Sequence, residues 1–396
     1  MPGADYHQIQ HFISESPWDA QELMDEIARE ASLLFAGEEN VCLYFDESAH
    51  TKKGNKSVGV GRQYSGQLGK VDNCQVAVYA ALSAGAHYSL IDTRLFLPKD
   101  WTADKSRCQK AGIPKDRRSP KTKLELALDM LKHHQTTGVR FNWVGGDGFY
   151  GHDISFRKSI AAMGFTYMLD IHEKDGVYLG EPVISIPEAT STRGRKPILL
   201  RADKERIKVK TIAAEAGQGQ WDTYKLRDGA KGPLIIEGMI KEVYTWDEKS
   251  ATAQKELLVI RRDKNEAGEY EYKYSLSNAG PGVHITLTLF QIQGQRYFIE
   301  RAFQDAKQDA GMSQYQVRGW LAWHHHMALV MLSQLFVLTE KIAYKEDCPL
   351  LSASDIREII VKTYAQRTDV MDIIAQRHKR RQDDIDRRNK TQIMQT

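Results

Sequence analysis

Two short apolar runs in this chain each end on an aspartate, and that pattern restricts the fold more than any other feature of the sequence. The run Val-Cys-Leu-Tyr-Phe over 41–45 leads into Asp46, and Phe-Asn-Trp-Val-Gly-Gly over 141–146 leads into Asp147. Runs of this length, rich in β-branched and aromatic residues and bounded by turn signals, predict buried strands over 41–46 and 139–146. A third acid, Glu300, lies in the helix-like stretch 295–307. Two strand ends and one helix can meet at one point. Three carboxylates there supply hard oxygen ligands of the kind that suit Mg²⁺ or Mn²⁺ beside a phosphate. The same acids have plainer uses, since an Asp after a strand often caps a turn or the next helix, and helix surfaces carry many solvated Glu.

The neighbours of Glu300 sharpen the first reading. Arg296 and Lys307 stand four residues before and seven after it, so at 3.6 residues per turn all three share one face of a helix. A solvated ion-pair ladder has the same spacing. Cations on both sides of the acid are also what a metal-bound phosphate calls for. Lys52 and Lys53, just beyond Asp46, are further candidates for holding a DNA backbone.

Along the chain, residues 1–40 read as helical, with Ser16 a cap before Pro17 and Trp18, Leu23 and Ile27 at helical spacing. The glycine-punctuated segment 51–70 lacks the spacing of a phosphate loop and predicts hairpin turns. Strands are expected over 75–82 and 88–97, then a helix over 122–134 started by Ser119-Pro120. A helix over 153–163 and a strand over 165–171 follow. Strand, strand, strand, helix, strand is the order of a ribonuclease-H-like α/β core. Residues 172–275 alternate in short apolar and polar runs, which predicts an antiparallel β insertion between the second and third acids. Its most basic loop, with Arg193 and Arg195, suits either a phosphate backbone or plain solvent. Trp221 and Trp246 in this region are expected to pack in the core rather than to stack on a base. A single helix is expected over 288–310, and a second long helix carries three successive histidines, His324, His325 and His326. Those point in different directions and cannot share one ion, so structural roles are expected for them. The division expected is a helical lead-in over 1–40, core over 41–171, insertion over 172–275, core again over 276–345, and a cation-rich helical tail over 346–396.

Composition excludes little but locates the chain. Hydrophobic residues make up 41% and charged residues 27% of 396, as in an ordinary globular protein, and the net charge of +3 neither demands nor forbids a nucleic-acid partner. Four scattered cysteines with no C-x-x-C pair argue against a zinc site and a disulfide scaffold. The opening residues carry no charged-then-apolar leader, and the apolar stretch 327–338 is short for a membrane span, so a cytoplasmic location without membrane contact is expected.

The ordered set Asp46, Asp147 and Glu300, with Arg296 and Lys307 around the Glu, resembles the bacterial insertion-sequence transposases of the DDE superfamily, in particular the insertion-sequence 701-type group. These are related to transposases whose third acid sits in a Tyr-Arg-Glu-Lys signature. The likeness runs from His-Phe-Ile-Ser-Glu-Ser-Pro-Trp-Asp (11–19) through 69–78 to Tyr-Gln-Val-Arg-Gly-Trp (315–320). It implies a ribonuclease-H-like core, two Mg²⁺ or Mn²⁺ ions held by Asp46, Asp147 and Glu300, and Asp46 touching both ions. It further implies cleavage at transposon inverted-repeat ends, joining to target DNA, and a homodimer on double-stranded DNA in the bacterial nucleoid. Two departures stand out. The signature tyrosine would fall at Gln293, with Tyr297 directly after the arginine, and the family's longer helical DNA-binding region has little room before residue 11, as in a shortened copy. A plain metal-dependent nuclease on the same core and a catalytically silent, transposase-derived DNA-binding protein are the alternatives.

Overall fold

The computed structural model describes residues 6–66, 68–188, 197–229, 232–280 and 286–364, with scattered residues between 375 and 385. Strands β1 (Cys42–Thr51), β2 (Gly61–Ser65), β3 (Lys70–Ala84) and β4 (His87–Leu95) come first, followed by β5 (Trp143–Gly146) and β6 (Thr166–Asp170). Four longer strands, β7 (Asp222–Gly229), β8 (Gly232–Thr245), β9 (Gln254–Lys264) and β10 (Tyr270–Ser277), lie in the predicted insertion. All ten form one sheet in the order β7-β8-β9-β10-β6-β5-β1-β3-β2, with β4 also on β3. The four long strands of this segment therefore extend the central sheet, while Gly176–Val177 with Ile207–Lys208 and Ile184–Ser185 with Arg201–Ala202 form two small two-stranded sheets. Most neighbours are antiparallel, but β1 with β5 and β5 with β6 are parallel. All four residues of β5 are buried, which is what a parallel strand covered on both faces requires.

The helices that bear on the site and its supports are α1 (Tyr6–Ser14), α2 (Ala20–Leu34), α3 (Lys123–Thr137), α4 (Gly148–His152), α5 (Ile154–Ala162), α6 (Thr286–Gln295), α7 (Tyr297–Gln308), α8 (Trp320–Ala343) and α9 (Ala353–Tyr364), with further short helices at Lys99–Thr102, Lys105–Lys110 and Val209–Glu215. Alternation along β1 divides the core. Tyr44 packs with Tyr79, Phe290, Ile299 and Met327 on the face covered by α6, α7 and α8. Leu43 and Phe45 pack with Val78, Leu126, Met130 and Phe156 on the face covered by α3 and α5. A side chain two residues after Tyr44 thus points to the α6–α7 side. The apolar stretch of α8 enters that core through Trp323, Met327 and Met331; α8 is the one helix among the described residues long and apolar enough to cross a membrane.

Three local expectations need correction. Asp19, not Ser16, caps α2, accepting the Gln21 amide at 2.7 Å. Thr122, in a reciprocal box with Glu125, and not Ser119-Pro120 supplies the start signal of α3, which begins within a residue of the expected span. The helix expected over 288–310 is two helices, α6 and α7, meeting at Arg296. The break has a cause 248 residues away. The Tyr44 hydroxyl donates to the Ile292 carbonyl at 2.6 Å, the acceptor that the Arg296 amide would use in an unbroken helix. Tyr44 can lie this way because its neighbour on β5 is Gly145, where a Cβ would stand 2.1 Å from the tyrosine ring.

Candidate active site

Parallel pairing sets Phe45 opposite Gly146, and Gly146 opposite Leu169. The next residue on each strand is an acid: Asp46, Asp147 and Asp170 stand in a row at one level of the sheet. Alternation from Tyr44, Trp143 and Met168 turns this level toward α6 and α7. The turn after β5 is tight. Asp147 caps α4 by accepting the Phe149 amide at 3.0 Å, and Gly151 lies so close to β6 that a Cβ would come within 1.8 Å of the Asp170 carbonyl oxygen. The cap and the site position are held by the same residue, so the two readings of Asp147 do not compete.

Electrostatics single out the first two acids. Burial, and then the charge of Asp147, push the Asp46 carboxyl up to about 7. Burial and the Glu47 charge raise Asp147 as well. Neighbouring carboxylates that resist ionisation in a buried setting mark a candidate functional site. Asp170 is already paired: its oxygens accept from Arg296 Nε at 2.7 Å and Ser275 Oγ at 2.6 Å.

Helix α7 supplies the cations. Arg296 at its start reaches Glu300 through Nη2 at 2.7 Å while holding Asp170 through Nε. Burial works against its charge, yet Asp170, Glu300 and Asp46 together raise its pKa. Lys307 is half-buried, lowered by burial and drawn the other way by Asp46. Asp46 is thus within the field of Asp147, Arg296 and Lys307, and Asp147 within that of Arg296. Glu300 is brought to the same helix face but stands half exposed in its ion pair with Arg296. Among the described residues no three His, Cys, Asp or Glu side chains are grouped closely enough to hold a metal ion. The all-oxygen pair Asp46 and Asp147 fits a hard dication, and Glu300 is engaged elsewhere.

Other candidates divide cleanly. Lys52 lies over the Tyr315 ring, 3.5 Å from its centroid, beside His50, whose imidazole burial and the charges of Lys307 and Lys52 hold down at about 3. Lys53 is exposed. Arg193 and Arg195 lie outside the described residues. Trp221 and Trp246 are buried, and the latter donates its indole N–H to Ser250. The three histidines bond separately, with His324 at the Trp320 carbonyl, His325 at Ile13 and Trp18, and His326 at Gly311. Two acids went unmarked in the sequence, Asp170 and Glu47. The first had a signal, because Tyr167-Met168-Leu169 is another apolar run ending in Asp. Glu47 had none; it turns to the opposite face, pairing with Lys123 at 2.7 Å and accepting from the Tyr150 hydroxyl at 3.1 Å.

Residues 1–233 match the family model of the DDE superfamily endonucleases, a span that holds Asp46 and Asp147 and stops before Glu300. Over 153 residues the chain is 33% identical to a protein of Microchaete diplosiphon described as "Probable transposase for insertion sequence element IS701", a match over 38% of this chain and 36% of that protein. The matched part is thus about a third of that relative's length. A solved structure, the piggyBac transposase synaptic complex with hairpin DNA, is similar over 81% of this chain and 51% of that one, at 11% identity and a TM-score of 0.34. With more than half of its length in the family match, the chain belongs to the DDE superfamily endonucleases.

Proposed function

We propose that this chain is a DNA transposase that cleaves DNA at transposon ends and joins the freed 3′-hydroxyl to target DNA on a ribonuclease-H-like core. The observation that carries the reading is the placement of Asp46 and Asp147 side by side at neighbouring parallel strands, faced by the helix bearing Arg296, Glu300 and Lys307. Asp46 and Asp147 would hold Mg²⁺ or Mn²⁺, with Glu300 joining them on release from Arg296. The chemistry such ions supply when bound is activation of the attacking oxygen and charge relief at the leaving one. The chain's own cations act on the phosphate: Arg296 and Lys307 neutralise charge that grows in the transition state, and Lys52 holds the backbone beyond. Double-stranded DNA is the partner, with inverted-repeat ends and target site both engaged and a homodimer bringing two ends together.

Two outcomes test this. Nicking of an inverted-repeat duplex requires Mg²⁺ or Mn²⁺ and stops in excess chelator, while Ca²⁺ supports binding with little turnover because its longer, looser coordination misplaces the reacting oxygens. Turnover in chelator removes the metal reading. Products joined to a second DNA separate a transposase from a plain nuclease, and a chain that binds ends but never cuts them is the silent DNA-binding relative.

Arg296→Ala and Lys307→Ala each lower the single-turnover rate at saturating DNA by about 10²-fold, the scale on which loss of one transition-state donor acts. A solvated ion-pair ladder contributes only about 0.3–0.5 kcal/mol per pair. Rates within twofold of wild type for both variants leave Arg296 and Lys307 with structural pairing alone.

A further inference from the structure

Asp170 completes the row of strand-end acids, yet both of its oxygens are engaged. Ser275 Oγ donates to Oδ1 and Arg296 Nε to Oδ2. The same guanidinium reaches Glu300 with Nη2, so one side chain spans from a strand-end acid to the helix acid. Arg296 is well shielded, with 20% of its side chain exposed, and it occupies the break between α6 and α7. At that break the Tyr44 hydroxyl has taken the Ile292 carbonyl, so the backbone alone fixes the direction of α7 less firmly than in a continuous helix.

Arg296 has other anions within reach of its charge. Asp46 already attracts it, and Asp147 feels it too. A guanidinium free to turn would settle on the densest negative charge nearby, which is the pair Asp46 and Asp147, and would compete there with a dication. What holds it aside is Nε on Asp170, aided by Nη2 on Glu300 until that acid is released to the pair. We propose that Asp170 is a positioning residue: by anchoring Arg296 it keeps the arginine off the Asp46–Asp147 pair and sets where Glu300 stands beside it. This rests on the reading of that pair as a divalent-cation site.

The test is Mn²⁺ binding to the full chain, followed by paramagnetic resonance of the free ion, for wild type, Asp170→Asn, Arg296→Ala and the double variant. Asparagine keeps the oxygen that accepts from Ser275 and removes only the charge that holds Arg296. Asp170→Asn weakens Mn²⁺ binding by about 10- to 100-fold, the usual effect of losing a group that orients a metal site. Arg296→Ala binds at least as tightly as wild type, and Asp170→Asn adds no loss in that background. Wild-type affinity in Asp170→Asn overturns the proposal, and so does an equal loss with and without Arg296. Should Asp170→Asn fail to fold, Arg296→Lys serves instead. It keeps the charge but cannot bridge two acids, so it weakens Mn²⁺ binding likewise, and wild-type affinity there overturns the proposal. If wild type binds no Mn²⁺, the cation reading of the pair has failed. The anchor is then read separately, from ¹⁵N-arginine spectra in which the Arg296 Nε–H is protected in wild type and exposed in Asp170→Asn. Lack of protection in wild type rejects the anchor itself.

Discussion

Asp46→Asn and Asp147→Asn each abolish divalent-metal-dependent nicking, by on the order of 10⁴-fold, the scale seen when a group at the reacting centre is removed. The amide keeps the volume and loses the charge, and nothing beside the pair replaces it, because Asp170 is committed to Arg296 and Glu47 turns to the other face. Folding should not suffer. The Asp46 carboxyl stands at about 7 in the fold against an ordinary 3.8. An acid whose folded pKa lies above its unfolded one binds the proton more tightly when folded, so its ionisation costs stability as pH rises from about 4 through 7 and beyond. At pH 8 the asparagine removes that cost, and the metal-free unfolding midpoint of Asp46→Asn holds or rises. Added Mn²⁺ then stabilises wild type and not the variant. Plasmid nicking measured beside thermal unfolding decides the matter. An active Asp46→Asn takes the residue out of the site, and a midpoint that falls in step with activity shows misfolding instead.

How far the fold and site could be read in advance depended on how local the cause was. β1 and β5 announce themselves because burial on both faces demands an unbroken apolar run, and Asp46 and Asp147 follow as the first polar residues after each. The face they share could be anticipated only from neighbouring strands, whose pairing is set across about a hundred residues. Asp170 carried the same local signal as the other two, but its engagement by Arg296 and Ser275 depends on contacts more than a hundred residues away. The break at Arg296 is of the same kind. Gly294 is the one local sign of weakness in 288–310, and the residue that takes the Ile292 carbonyl is Tyr44. The insertion strands were legible as strands, because alternation is a local property. That they continue the core sheet follows from β10 pairing with β6 through Ser275, Leu276 and Ser277, which alternation alone does not specify. The expected start of α2 erred by three residues, where two capping signals lay close together at Ser16 and Asp19.

Sheet continuity places the strongest test of stability where the extension meets the core. Arg157 on α5 is buried with Glu256 of β9, its Nε and Nη2 donating to the carboxylate at 2.9 and 3.2 Å, and it also reaches the Gly151 carbonyl and Thr245 of β8. The Tyr167 hydroxyl on β6 donates to the same carboxylate. Side-chain exposures of 2% and 0% for Arg157 and Glu256 leave water no access to either charge. Arg157→Ala therefore strands a buried carboxylate with only hydroxyl partners, and unfolding free energy in urea falls by about 3–5 kcal/mol. Glu256→Gln costs a similar amount, since it leaves the buried guanidinium without its counter-charge and sets an amide N–H₂ against one of the two guanidinium donors. The double replacement Arg157→Met with Glu256→Leu recovers most of the loss, because taking both charges out of an apolar setting is often neutral. That recovery is the discriminating result. If the double variant is as unstable as Arg157→Ala, the arginine matters through its Gly151 and Thr245 contacts, which tie α5 and the turn below Asp147 to the β extension, and not through the ion pair.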